Sequence, residues 1–229
     1  GIIMNPNTGE ILALANYPDY DPQEFSAADD EARRNRILTD TYEPGSTIKP
    51  LIIAALLNEG IVKEDNVIFA ENGSYKFNRT RITDVHPYGN LTVHDVLVNS
   101  SNIGMAKLST KMDDNSFYKY LRDFGFGNRT LINLPGETEG TLKRPSNFND
   151  LTKAFISFGY EVSVTPIQMA AAYCALVNGG TLYQPYIVKS ISKNGKAVEK
   201  FEPVKIRDVI SRETSEKVKK MMVDVVEKG

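Results

Sequence analysis

Tryptophan is absent from this 229-residue sequence, cysteine occurs once and histidine twice. A single cysteine rules out an internal disulfide. Cys174 lies in the apolar run "MAAAYCALV", the setting of a small packing residue rather than of a reactive thiol. His86 and His94 stand eight positions apart with no cysteine beside them, so no metal site is expected. No glycine-rich phosphate cradle occurs, and no cofactor is expected either. No stretch nears the roughly 18 consecutive apolar residues that a membrane span needs, and no basic segment followed by an apolar one opens the chain. With 27 Lys and Arg against 29 Asp and Glu, the net charge of -2 gives no field for holding phosphates, which excludes nucleic acid as a partner. What is present, 41% hydrophobic and 24% charged residues, is enough to bury the core of one mixed domain.

The chain opens directly on Gly1-Ile2-Ile3-Met4, which reads as a strand, so any anchoring or targeting segment is expected upstream of it. Residues 2–4 and 11–15 flank the turn Asn5-Pro6-Asn7-Thr8-Gly9 and predict a hairpin. Residues 16–45 are rich in Asp, Pro and Tyr and read as a solvated loop with one short helix. Residues 46–59 predict a helix that Ser46 can cap, that is apolar all round in "LIIAALL", and that Gly60 closes. Residues 61–90 show no sustained period and read as loop with short strands. Thr92-Val93-His94-Asp95 opens a second helix with a capping box, and "IGMAKLSTKM" continues helically past a break at Ser100-Ser101-Asn102. Ser116 is the expected cap of an amphipathic helix carrying Phe117, Tyr120, Leu121 and Phe124. Thr165-Pro166-Ile167-Gln168 starts a helix that ends at Asn178-Gly179-Gly180. Residues 186–191 and 197–201 predict a hairpin through Asn194-Gly195, and a last helix runs from about 212 to 227 with Val218, Met221, Met222 and Val225 on one stripe.

Two groups of residues can carry chemistry. In "YEPGSTIKP", Ser46 and Lys49 stand three apart at the mouth of the apolar helix, a spacing that puts two side chains on one face. A serine hydroxyl needs a base, and a lysine can serve only when neutral. Its pKa must then fall from about 10.4 toward about 7, a differential of roughly 4 kcal/mol that a desolvated setting can supply. The helix N-terminus adds a positive end for a developing oxyanion. Pro50 lacks the N–H that would bond the Ser46 carbonyl, so an irregular first turn is expected there. The same Ser-x-x-Lys spacing recurs at Ser116/Lys119 and Ser190/Lys193, where neither a turn nor a buried helix accompanies it. The second group is Ser100-Ser101-Asn102, a hydroxyl that can relay protons and an amide that can donate and accept. Taken without the rest of the chain, each group also fits a helix cap or a polar loop.

Together these pieces resemble the serine transpeptidase module of penicillin-binding proteins, relatives of the serine β-lactamases, whose signature pairs S-x-x-K with S-x-N and K-T-G. "MNPNTGEILALANYPDYDP", "RNRILTDTYEPGSTIKP", "LTVHDVLVNSSNIGMAKLS" and "VTPIQMAAAYCALVNGGTLYQPYIV" are similar to segments of that family in the expected order, most of all to its monofunctional class B branch. The resemblance implies an α+β fold of the β-lactamase/transpeptidase type, a helical subdomain plus helices packed on an antiparallel sheet. It implies Ser46 as acylated nucleophile, Lys49 as its proton acceptor, Ser100 as relay to the leaving amine and Asn102 as a clamp on the peptide donor. It implies peptidoglycan stem peptides as substrate, acylation by β-lactam antibiotics, cell-wall synthesis machinery in the membrane as partner, and work on the outer face of a bacterial membrane. A β-lactamase, or a degenerate sensor or scaffold relative, are the alternatives. Two departures stand out. Glu161 occupies a position where the family often has glycine, and no Lys-Thr-Gly or Lys-Ser-Gly occurs among the 229 residues. The resemblance implies that this third motif supplies one backbone N–H of the oxyanion hole. The expectation is that residues 1–229 form an incomplete transpeptidase domain, lacking the C-terminal strands of its sheet and catalytically crippled alone, because one lost oxyanion donor is worth about 10² to 10³ in rate.

Overall fold

The computed structural model describes residues 1–229. Gly9, at φ +77, lets the Asn5–Gly9 turn fold back and pairs β1 (Ile2–Met4) with β2 (Ile11–Leu14). The acidic, proline-containing stretch that follows supports only a 3-10 turn at Pro22–Ala27 and two single-turn helices, α1 (Asp30–Arg33) and α2 (Arg36–Thr39). Of these only Ile37 and Leu38 are buried, in a small cluster with Ile132 and Ile167 on which the inner face of the β1–β2 hairpin rests. The other face of the hairpin, with Ile3 and Leu12, is exposed.

A helix without a polar face must be surrounded, and α3 (Lys49–Asn58) is: every residue from Lys49 to Leu56 is buried, and five later helices, starting at Val93, Asn102, Asp114, Pro166 and Arg212, all touch it. Its far end closes as a Schellman motif, with Gly60 at φ +67 and the Ile61 N–H donating to the Leu56 carbonyl. Residues 61–92 hold two antiparallel pairs, β3 (Val67–Phe69) with β6 (Asn90–Thr92) and β4 (Ser74–Phe77) with β5 (Thr80–Thr83).

The Thr92–Asp95 capping box starts α4 (Val93–Val98), and the Ser101 hydroxyl caps α5 (Asn102–Ser109). The amphipathic helix α6 (Asp114–Asp123) buries Phe117, Tyr120 and Leu121 as its stripe requires. Its cap is Asp113, not Ser116: the carboxylate accepts the Asn115 and Ser116 N–H groups, placing the start about one turn earlier. Farther on come β7 (Thr141–Leu142), α7 (Thr152–Ser157), β8 (Val162–Ser163) and α8 (Pro166–Val177), the last opened by the Thr165/Gln168 capping box. The chain then runs through β9 (Thr181–Tyr183), the exposed hairpin β10 (Ser190–Lys193) and β11 (Lys196–Lys200), β12 (Lys205–Asp208) paired back on β9, and α9 (Arg212–Lys228). The strands pair antiparallel in six two-stranded sheets, so helices form the core and the strands its rim. Helix α9 packs its Val218–Met221 stripe against α3, α4 and α8. His94 Nε2 lies 2.8 Å from Asp224 Oδ2 and fastens α4 to α9. No helix is long and apolar enough to cross a membrane.

Candidate active site

Residues 45–48 form a single 3-10 turn that runs directly into α3. Pro50 accounts for it: with no N–H at that position, the Ser46 carbonyl accepts instead from the Lys49 N–H, an i to i+3 bond. Ser46 therefore does not cap the helix with its side chain and is left exposed, its hydroxyl free for other work. The turn is laced to residues 159–164. Tyr42 and Val164 exchange both backbone bonds at 3.0 Å, the Gly45 N–H donates to the Gly159 carbonyl at 3.1 Å, and the Glu161 N–H donates to Glu43 Oε1 at 3.0 Å. Gly159 has no room for a side chain, since a Cβ there would stand 2.1 Å from the Gly45 carbonyl oxygen.

Glu161 holds φ +57, a conformation that costs a non-glycine residue energy, and its carboxylate meets Lys143 at 2.5 Å. Both partners of that ion pair are partly exposed, which makes it worth well under the roughly 1 kcal/mol or more of backbone strain. Glu161→Gly is therefore expected to raise the unfolding free energy by about 0.5–1 kcal/mol while keeping the 159–164 contacts. Urea titration of both proteins checks it, and a destabilised glycine variant would show that the ion pair dominates.

Lys49 is 1% exposed and still carries a charge to satisfy. Its Nζ finds three acceptors: the Ser100 carbonyl at 2.6 Å, Ser100 Oγ at 3.0 Å and Asn102 Oδ1 at 2.7 Å. Ser100 Oγ lies 3.0 Å from Ser46 Oγ. The structure thus brings Ser46, Lys49, Ser100 and Asn102 into one cluster, but not by the contact that the three-residue spacing implies. No hydrogen bond joins Lys49 to Ser46; the Ser100 hydroxyl stands between them. The lysine side chain passes Ser46 because its three donors are met only at the 100–102 turn. Burial pushes the Lys49 pKa down to about 8, partly opposed by the negative charge of Asp84.

The Ser100–Asn102 turn sits where α4 ends and α5 begins. The Ser100 N–H donates to the Leu97 carbonyl and the Ser101 N–H to the Val96 carbonyl, the bonds of a Schellman motif. Its left-handed position, usually a glycine, is Ser100 at φ +52. Asn102 is largely committed within the protein, Oδ1 to Lys49 and Nδ2 to the Thr83 carbonyl at 3.2 Å, leaving one N–H of its amide unspent.

Ser46, Lys49 and Ser100 line a cavity of about 300 Å³ together with the apolar side chains of Met222, Val225 and Val226 of α9. The sequence placed Met222 and Val225 only on one stripe of the last helix, and gave no sign of Tyr173, which also lines this cavity and donates to the Thr47 carbonyl at 2.8 Å. It also missed Asp84, which lies in a segment without period and acts on Lys49 only through the fold. A cavity of about 380 Å³ lies around Arg122, Thr130, Leu182 and Arg207. It holds no nucleophile joined to a base, so chemistry rather than size selects the site. No group of three or more His, Cys, Asp or Glu side chains gathers as a metal would require. Cys174 is partly buried and its thiol is pushed up to about 11 by burial, so it stays unreactive near neutral pH.

Residues 1–229 match the family described as the penicillin binding protein transpeptidase domain. The chain is 39% identical over 235 residues to stage V sporulation protein D of Bacillus subtilis (strain 168), covering 100% of this chain and 36% of that protein. It is 37% identical over 190 residues to the peptidoglycan D,D-transpeptidase FtsI of Escherichia coli (strain K12), covering 83% of this chain and 32% of the relative. The chain thus spans about a third of the length of these relatives. Among solved structures, the apo transpeptidase domain of penicillin-binding protein 3 from Burkholderia pseudomallei superposes with a TM-score of 0.83 at 30% identity, covering 98% of this chain and 61% of that one. At that likeness over nearly every residue, the α+β fold expected from the sequence is the one observed.

Proposed function

This chain belongs to the penicillin-binding protein transpeptidase family, and from that premise we propose that it carries the nucleophile half of a serine D,D-transpeptidase that cross-links peptidoglycan stem peptides. The observation that supports this best is Lys49, a buried ammonium whose three donors end on the turn that also touches Ser46. Ser46 Oγ attacks the carbonyl carbon of the D-Ala-D-Ala bond. Its proton passes through the Ser100 hydroxyl to the neutral Lys49 amine, the two oxygens being 3.0 Å apart and the second 3.0 Å from Nζ. The C–N bond then breaks, and the same path run backward gives the proton to the departing amine. The amine of a neighbouring stem peptide then attacks the ester on Ser46, and the ester C–O bond breaks as the new C–N bond forms. The proton lost by the amine passes by way of Lys49 and Ser100 to the departing Ser46 oxygen. A β-lactam forms the same ester by opening its ring. The free N–H of Asn102 faces the donor peptide.

The substrate places this work on the outer face of a bacterial membrane, beside the machinery that polymerises the wall. Residues 1–229 contain no Lys-Thr-Gly or Lys-Ser-Gly, so by themselves they form an incomplete transpeptidase domain that acylates slowly, about 10² to 10³ below the rate of a complete oxyanion hole. A fluorescent penicillin, with intact mass and peptide mapping, tests both statements. The whole reading frame is expected to gain one adduct on the peptide containing Ser46, and residues 1–229 to gain it more slowly. Label on another residue would overturn the first statement, equal rates the second, and rapid release of hydrolysed antibiotic would mark a β-lactamase.

A further inference from the structure

The Ser100 carbonyl and hydroxyl and the Asn102 amide meet Lys49 only if a three-residue turn keeps its shape, and Ser100, with its left-handed backbone, is a costly residue to keep there. Something outside the turn must over-determine it. The end of β5 does so. The Thr83 carbonyl accepts from Asn102 Nδ2 at 3.2 Å. One residue later, Asp84 Oδ2 accepts from the Ser101 hydroxyl at 2.5 Å and Oδ1 accepts from the Ile103 N–H at 3.0 Å. Ser101 is fully buried between the two residues that hold Lys49, and its hydroxyl oxygen also accepts the Gly104 N–H at 2.9 Å, capping α5.

We propose that Asp84 is a positioning residue of this site, one carboxylate gripping Ser101 and Ile103 on either side of Asn102 so that Ser100 and Asn102 stay on Lys49. The inference rests on the acyl-transfer reading of Ser46. Charge-assisted bonds from a carboxylate to a hydroxyl and a backbone N–H are the strong kind, and here both oxygens are used on a single turn. The negative end of this clamp also faces the start of α5, where the helix dipole favours it. The negative charge of Asp84 has a second effect: it partly opposes the burial that lowers the Lys49 pKa and so favours the ammonium.

The two effects separate in a pH profile of penicillin acylation, measured on the protein expressed from the whole reading frame and normalised to the folded fraction. Asp84→Asn is expected to lower the plateau rate by about tenfold, as loss of hydrogen bonds to a charged group does, and to move the acid limb to lower pH because Lys49 loses the charge that holds its proton. Ser101→Ala, which removes one contact and no charge, is expected to lower the plateau and leave the limb in place. A folded Asp84→Asn protein with the parent plateau overturns the proposal, and so does one whose plateau falls with an unmoved limb, the mark of a merely structural role. Should Asp84→Asn show no cooperative melt, Ser101→Ala decides: a parent-like plateau overturns the proposal. Ser46→Ala run in parallel keeps the two readings apart, because labelling that survives there overturns acyl transfer through Ser46, whatever Asp84 does.

Discussion

Lys49→Met is expected to slow acylation of Ser46 by at least about a hundredfold, the lower bound for a lost general base, and to flatten the rise of rate with pH. Methionine keeps the length and bulk that fill the start of α3, where Lys49 is among the largest fully buried side chains, so the fold should persist. What goes is the proton acceptor. In the parent protein the amine becomes available as pH rises through about 8, and the acylation rate should climb with it. Stability changes in the same window. Lysine in the folded chain holds its proton less tightly, about 8 against 10.5, so between those values the unfolded chain binds more protons and stability rises with pH. Below pH 8 the buried ammonium costs about 3 kcal/mol in full, and above 10.5 that cost has gone. Other groups also titrate there, so the quantity to measure is the difference between parent and Lys49→Met in urea unfolding at either end of the window. A parent profile flat through pH 8, or a methionine variant that acylates at the parent rate, would remove Lys49 from the proton path.

How far the sequence foretold this arrangement depends on the range of the interaction. Caps written within four residues were legible: Thr92 with Asp95, Thr165 with Gln168, Gly60 after an apolar helix. At α6 the expected cap was misplaced, because Asp113, three residues before Ser116, offers a carboxylate to two N–H groups and Ser116 falls inside the helix. The irregular turn at Ser46 was legible from Pro50, since it follows from a missing donor. The partner of Lys49 was not. Three-residue spacing says that two side chains share a face, not that they touch, and a side chain with three donors ends where three acceptors are, 51 to 53 residues away. Asp84 and the α9 wall are invisible for the same reason, because their relation to Ser46 exists only after α3, α4, α5 and α9 have packed. Glu161 was noticed as an odd residue, and the fold supplies the reason: a left-handed backbone that glycine would hold without strain.

Ser100→Gly should stabilise the fold relative to Ser100→Ala while neither variant acylates at better than about a hundredth of the parent rate. Both substitutions delete the hydroxyl that accepts from Lys49 and lies against Ser46, so the proton path loses the same atom in each. They differ only in the backbone. Ser100 is the residue of a Schellman motif that must take positive φ, here +52, and alanine inherits the strain that glycine removes. The expected difference between the two is about 1 kcal/mol in unfolding free energy, read by urea titration. Relative to serine, either change leaves the buried Lys49 with one acceptor fewer. A serine at a glycine position makes physical sense only where its hydroxyl is needed, in the gap between Lys49 and Ser46. Equal stability of the glycine and alanine variants would mean that the turn is unstrained, and parent-like acylation by either would mean that protons leave Ser46 by another route.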